Sequence, residues 1–288
     1  MVNFYRSTVD TLSAADIVLI GVPDESRSYA KRRGTGRAPD VIRLASNESE
    51  FFEREGRIIP TSPMRGSMAE KKILDLGNVE RENLSSLIFD IISRRKLPII
   101  IGGDHSITTI ALRQIGELLG KISIVYFDAH PDFVSSTKNY YGSVMTDSAE
   151  FIDFKRSILI GTRAAEAEEL MNAAKVGLEI ITPMEVAELG VVKLAERFAG
   201  KRREKKYVSI DLDCLDPAFA PGVSVPSPGG LSSTDLLYLV KEAVRSGILA
   251  MDIVELSPDF DINNMTAYLA ARIISESIAS LNKEQTEG

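Results

Sequence analysis

The sequence predicts an α/β protein of three layers, α/β/α, with an open, mostly parallel sheet of about eight strands. Three observations carry this. Short runs of β-branched and other apolar residues recur along the chain, at 17–22, 73–76, 98–101, 122–127, 157–160, 178–181, 207–212 and 248–254. Stretches with apolar residues at helical spacing separate most of them, at 84–95, 107–119, 166–174, 191–198 and 233–245, and another closes the chain at 266–281. The short runs are apolar at consecutive positions, as in strands covered on both faces.

A closed eight-stranded barrel shares the alternation, but it needs a helix after every strand. Residues 45–72 do not supply one, so the open sheet is preferred. That segment carries Pro60, Pro63 and Gly66 among charges and reads as a long surface loop, either packed on a neighbouring subunit or mobile. No repeat or linker divides the chain, so residues 1–288 are expected to form one domain, with a polar tail at 282–288 that frays.

Composition narrows the function. Hydrophobic residues at 44% and charged residues at 26% suit a globular protein with a sizeable core. Lys and Arg number 34 against 41 Asp and Glu, a net charge of −7, so the basic footprint of a nucleic-acid binder is absent and anionic membranes are disfavoured. No uncharged apolar run approaches the roughly 20 residues of a membrane helix. The N-terminus, with Asp10 and Asp16, does not read as a signal peptide. The single cysteine, Cys214, excludes an intrachain disulfide and a CxxC motif, which fits a reducing compartment and a cytoplasmic location.

Open α/β sheets bind ligands beyond the carboxyl ends of their strands, and three polar clusters fall there. Gly102-Gly103-Asp104-His105-Ser106 follows the third run; its glycines permit a turn, and Asp104 or Ser106 can help cap the next helix. Asp128-Ala129-His130-Pro131-Asp132 follows the fourth. Asp211-Leu212-Asp213 ends the seventh, where strand period 2 puts both carboxylates on one face and Cys214 on the other. Each cluster alone has an ordinary structural reading, as a helix cap or a strand-end histidine. Together they hold both histidines of the chain and a group of aspartates that would repel one another without a cation. Such O and N ligands suit two divalent cations, manganese before zinc. An aspartyl phosphotransferase also uses a DxD at a strand end, but usually on its first strand, and no phosphate loop is present.

With these motifs, and with Ser209 to Pro217 running on to Pro221-Gly222, the sequence resembles the ureohydrolase family of arginases, agmatinases and formimidoylglutamases. The likeness extends from Gly21-Val22-Pro23 through Gly34-Thr35-Gly36-Arg37-Ala38-Pro39 and Asp252-Ile253-Val254-Glu255 to the last helix, and the agmatinase-like branch is nearest. The resemblance implies two Mn2+ per subunit, one held by His105, Asp128, Asp132 and Asp211, the other by Asp128, His130, Asp211 and Asp213. It implies attack of a metal-bridging hydroxide on a guanidine or amidine carbon, Glu255 holding the substrate's cationic nitrogen group, and Asp132 passing the proton to the leaving nitrogen. It also implies a homo-oligomer, a trimer or hexamer. Asp216 is read as a turn cap and left out of the ligands.

The departures bear on the substrate. Arginases and agmatinases place a proton-shuttling His-Gly pair where this chain has Tyr141-Gly142, and agmatinases more often carry a glutamate at the position of Ser227. Val223-Ser224-Val225-Pro226 is closer to formimidoylglutamases, which also tend to lack that histidine. Two small-molecule substrates therefore stand, agmatine and formimidoylglutamate; the latter's carboxylates would call for a cation, for which Arg163 is the candidate. A metal-binding relative without activity is the third reading.

Overall fold

The computed structural model describes residues 2–199 and 206–282. In chain order its elements are β1 (Ile17–Gly21), α1 (Ala38–Ser49), β2 (Phe51–Arg54), β3 (Arg57–Pro60), β4 (Ile73–Asn78), α2 (Leu84–Ser93), β5 (Leu97–Ile101), α3 (Ile107–Leu119), β6 (Ser123–Phe127) and α4 (Val144–Asp147). There follow β7 (Ile158–Ile160), α5 (Ala167–Val176), β8 (Glu179–Ile181), α6 (Pro183–Leu189), α7 (Val191–Ala199), β9 (Lys206–Asp211), α8 (Ser233–Arg245), β10 (Ala250–Val254) and α9 (Met265–Ser280).

Eight strands make one sheet in the order β4-β1-β5-β10-β9-β6-β7-β8, and every neighbouring pair is parallel. The eight are those the apolar runs predict. Alternate residues of each strand feed opposite cores. Ile17, Leu19, Ile99, Ile101, Val208 and Ile210 pack with side chains of α1, α7, α8 and α9. Val18, Ile20, Ile100, Ile124 and Tyr126 pack with α2, α3, α4 and α5. Burial on both faces is why the strands read as continuous apolar runs.

The order of the strands makes the site. β6 follows β5 in the chain but lies three places away, and the gap is filled by β10 and β9. Such a reversal opens a crevice beyond the carboxyl ends of the strands. The ends of β5, β10, β9 and β6 are consecutive there, and they deliver His105, Glu255, Asp211 and Asp128.

The expected loop at 45–72 is corrected in part. Helix α1 runs through Ser49, and β2 and β3 form an antiparallel ribbon. Its turn is Glu55-Gly56, both at positive φ (53° and 71°), the conformation that matches the twist of a two-residue hairpin. A helix therefore does follow β1, and the argument against a barrel from that segment fails. The sheet is open because β4 and β8 are unpaired edges. Helix α6 is an addition to the expected helices, and Thr182-Pro183 with Glu185 form its capping box with proline at the first turn. Of the tail, residues 283–288 lie outside the described residues.

A buried ion pair fastens the β4 edge. The Arg43 guanidinium on α1 donates to both oxygens of Asp75 on β4, at 2.8 and 2.9 Å, and to the carbonyl of Gly77 at 3.0 Å. Asp75 also accepts the N–H groups of Phe4 and Gly77. Both charged side chains are inaccessible, so truncating one strands the other in a dry core. Arg43→Ala is expected to lower the unfolding free energy by about 3–5 kcal/mol, read as a shift of the urea midpoint, whereas Asp40→Ala, removing Arg43's exposed neighbour, should change it by about 1 kcal/mol or less.

Candidate metal centre

His105 lies one short turn beyond β5, fully buried, with Nδ1 3.1 Å from Asp128 Oδ2, 3.1 Å from Asp132 Oδ2 and 3.2 Å from Asp211 Oδ2. Its other nitrogen, Nε2, is 2.8 Å from Ser209 Oγ, which in turn donates to Asp252 Oδ1 at 2.7 Å. An ionised carboxylate can only accept, so the serine proton points to Asp252 and the serine lone pair receives Nε2–H. That fixes the ring with Nδ1 toward the carboxylates, the kind of outer support that orients metal-ligating histidines. Asp252 is completed by Thr108 Oγ1 and Tyr207 OH, both at 2.6 Å.

The second group forms around His130, whose Nδ1 lies 3.0 Å from Asp213 Oδ2 and 3.4 Å from Asp128 Oδ1. Two sets, His105/Asp128/Asp132 and Asp128/His130/Asp213, have ligand atoms close enough to hold one cation each, and Asp128 belongs to both. His130 is the ligand candidate that reaches solvent, with 23% of its side chain exposed. A cavity of about 1080 Å³ lies at the other end of the strands, lined by residues that include Asp16, Lys72, Lys241 and Arg245, and includes none of these ligands.

Strand period does not bring Asp211 and Asp213 together as expected. β9 ends at Asp211, and 212–214 form a 3-10 turn in which Asp211 Oδ1 accepts the N–H of Asp213 at 2.7 Å. The turn sends Asp211 to the His105 set and Asp213 to the His130 set. Asp132 and Glu255 both sit at positive φ, 49° and 68°, a conformation unfavourable for residues with a side chain and recurrent where function demands a fixed direction. Asp216 serves as the turn cap expected of it, accepting the N–H groups of Ala218, Gly229 and Gly230. Asp104 binds the N–H of Ser106 and so braces the turn before α3 rather than capping the helix itself.

Arg163 is placed otherwise than expected. Its guanidinium donates to the carbonyls of Gly161, Asp213, Cys214, Leu215, Ser227 and Pro228, at 2.8 to 3.3 Å apart from one shorter contact to Ser227. Its donors are taken up in tying the loop after β7 to the turn that carries Asp213. The reason is the crowding of loop carbonyls around it, which no sequence pattern announces. Tyr126, in sequence an ordinary strand residue, is fully buried and donates to Asp132 Oδ2 at 2.6 Å.

Burial and mutual repulsion raise the acids. Burial, with Asp132 and Asp213 nearby, pushes Asp128 up to about 7. Burial, with Asp213 and Asp128, holds Asp211 well above the ordinary range. Burial and Asp104 bring Glu255 to about 8. Burial pushes Asp213 the same way, but His130 outweighs it and holds Asp213 below its usual value. Burial opposes charging of both histidines, yet the surrounding aspartates raise them, His105 through Asp128, Asp132 and Asp211, and His130 through Asp213 and Asp128.

These residues fit a pair of cations. Asp128 Oδ2 is buried and accepts no backbone or hydroxyl hydrogen bond, and it faces the His105 nitrogen at 3.1 Å, an arrangement that a cation between them would satisfy. The donors are carboxylate oxygens and imidazole nitrogens, a set suited to divalent cations.

The Arginase family profile matches residues 15–279, and the chain belongs to that family. It is a hydrolase acting on C–N bonds of linear amidines. Proclavaminate amidinohydrolase of Streptomyces clavuligerus is 32% identical over 91% of this chain and 86% of its own. An agmatinase of Neisseria meningitidis is 31% identical, over 92% of this chain and 86% of its own. The crystal structure of agmatine ureohydrolase of Thermoplasma volcanium superposes with a TM-score of 0.83 at 30% identity, covering 99% of this chain and 95% of that one.

The raised acids set a pH dependence for the metal-free protein. An acid with a raised folded pKa is ionised at a cost once pH passes its unfolded value; a histidine with a raised folded pKa stabilises below its unfolded value and loses that contribution as pH rises. Asp128, going from 3.8 to about 7, and Glu255, from 4.5 to about 8, thus act in the same direction as the histidines, while Asp213 favours folding throughout the interval between. Unfolding free energy of the chelator-treated protein is expected to fall as pH rises from about 5 to about 8, and saturating Mn2+ should remove the decline; urea titrations along the pH series read both.

Proposed function

We propose that this chain is a binuclear, manganese-dependent ureohydrolase that hydrolyses agmatine to putrescine and urea. The observation that carries the reading is the sharing of buried Asp128 between two ligand sets. One manganese would take His105, Asp128, Asp132 and Asp211, and the other Asp128, His130, Asp211 and Asp213. When bound, the pair supplies Lewis acidity, which makes a water nucleophilic near neutral pH.

The chain's own residues do the rest. Glu255, buried at the end of β10 beside His105, would hold the cationic nitrogen group of the substrate. Its Oε1 accepts the N–H of His105 at 2.8 Å and its Oε2 the hydroxyl of Ser224, and each oxygen keeps a lone pair for a guanidinium N–H. A cation docked there favours the ionised form of an acid that burial has raised to about 8. Asp132 would carry the proton from the nucleophile to the leaving nitrogen.

Charge supports agmatine over formimidoylglutamate. The named relatives of about equal identity act on different amidines, so likeness alone does not select the substrate. Glu255 offers a carboxylate to a cationic group, whereas Arg163, the cation that the carboxylates of formimidoylglutamate would call for, has committed its donors to main-chain carbonyls. Formimidoylglutamate is the second reading, favoured by Tyr141 and by Val223-Ser224-Val225-Pro226. A cytoplasmic homo-oligomer, trimer or hexamer, completes the proposal; among the described residues no helix is long and apolar enough to cross a membrane.

Initial rates of the manganese-loaded protein on agmatine, arginine, guanidinobutyrate and formimidoylglutamate test it. Urea from agmatine is the expected result. Formamide from formimidoylglutamate would replace agmatine by the second reading, and silence on all four with both cations bound would favour a non-catalytic relative. Asp128→Ala should abolish turnover and leave fewer than two manganese ions per chain, measured by metal analysis after gel filtration.

A further inference from the structure

We propose that Tyr126 is a positioning residue of the His105 cation site, and that it sets the affinity of that site without acting on the one at His130. The inference rests on the binuclear reading above. Tyr126 is the penultimate residue of β6, and its side chain is among the largest fully buried ones. Its ring lies parallel to the His105 imidazole, with centroids 4.7 Å apart and 3° between planes. Its hydroxyl is 2.6 Å from Asp132 Oδ2 and 3.1 Å from His105 Nδ1.

Those two atoms are 3.1 Å from each other, so the hydroxyl closes a triangle on two ligand atoms of one site. A buried tyrosine hydroxyl needs one acceptor. Here the acceptor is the Asp132 oxygen that faces the histidine nitrogen. Asp132 stands on backbone at φ 49°, where its direction has to be enforced by its surroundings. The stacked ring limits rotation of His105 about its own axis, while Ser209 holds the far nitrogen. No tyrosine hydroxyl bonds to His130 or Asp213 among the described residues, so the two sites differ in this support.

Outer supports of this kind cost about 10–100-fold in metal affinity when removed. The test is a titration of the chelator-treated full chain with Mn2+, free ion being followed by electron paramagnetic resonance, for the unaltered protein, Tyr126→Phe and Tyr126→His. Two manganese ions per chain are expected in the unaltered protein. In Tyr126→Phe one of the two affinities should weaken by about 10–100-fold and the other stay unchanged, with Tyr126→His, which keeps a ring and a polar donor, recovering part of the loss. Equal affinities in Tyr126→Phe and the unaltered chain would overturn the proposal, as would equal weakening of both sites. No manganese in the unaltered chain would overturn it together with the binuclear reading, whereas two ions bound there and no site-selective loss sinks this proposal alone.

Should Tyr126→Phe not fold, the near-ultraviolet difference spectrum gives the second measurement. The chain has eight tyrosines and no tryptophan, so the tyrosine band is unobscured. In a Tyr141→Phe background, filling both sites with Mn2+ should perturb that band; a flat difference spectrum with two ions bound would overturn the assignment.

Discussion

Negative charge packed into a dry crevice is the constraint around which this molecule is arranged. Asp128, Asp132, Asp211 and Asp213 are all buried, and two histidines are their immediate counterweight. Isolated buried carboxylates are expensive, and a cluster more so. A fold chosen for stability alone would not assemble them. Much of the surrounding structure can be understood as what keeps them assembled: a strand order that makes four carboxyl ends consecutive, left-handed backbone at Asp132 and Glu255, Arg163 binding the turn of Asp213, and the Ser209–Asp252 pair behind His105.

That division explains what could be read from the sequence. The eight strands are legible because burial on both faces leaves a continuous apolar signature, and the three polar clusters are legible because each sits where such a run stops. The β2–β3 ribbon is not, because both strands are largely exposed and no buried face imposes an alternation on them, and only Glu55-Gly56 marks the turn. Helix α1 begins in a Gly/Pro-rich stretch, and its buried face is partly Ala38, Ala45 and Ser46, too small to give a strong periodic pattern.

The site was legible in its first layer and opaque behind it. Histidine and aspartate next to a strand end announce themselves. Tyr126, Ser209 and Asp252 look in sequence like ordinary strand residues, since what distinguishes them is the partner across the sheet. Arg163 shows the converse. A cation after a strand suggests an anion to bind, yet the polar groups that surround it are carbonyls, which belong to every residue and mark none.

Tyr141 is where the proposed chemistry of this chain would depart from the family pattern, in which the resemblance places a histidine at that position. Burial, Glu255 and Asp132 push its phenol up to about 12. A phenol, with a reference pKa of about 10, stays protonated near neutrality and is a poor proton donor there. Nor can it exchange protons near neutrality as an imidazole does. Its role in the proposed reaction reduces to donating a hydrogen bond while remaining neutral. In the proposed reaction proton delivery would then fall to Asp132, whose aim would become the critical variable. Under the proposed function, a carboxylate on left-handed backbone, held by a single phenol at 2.6 Å, would carry alone a duty that the family pattern divides between two residues.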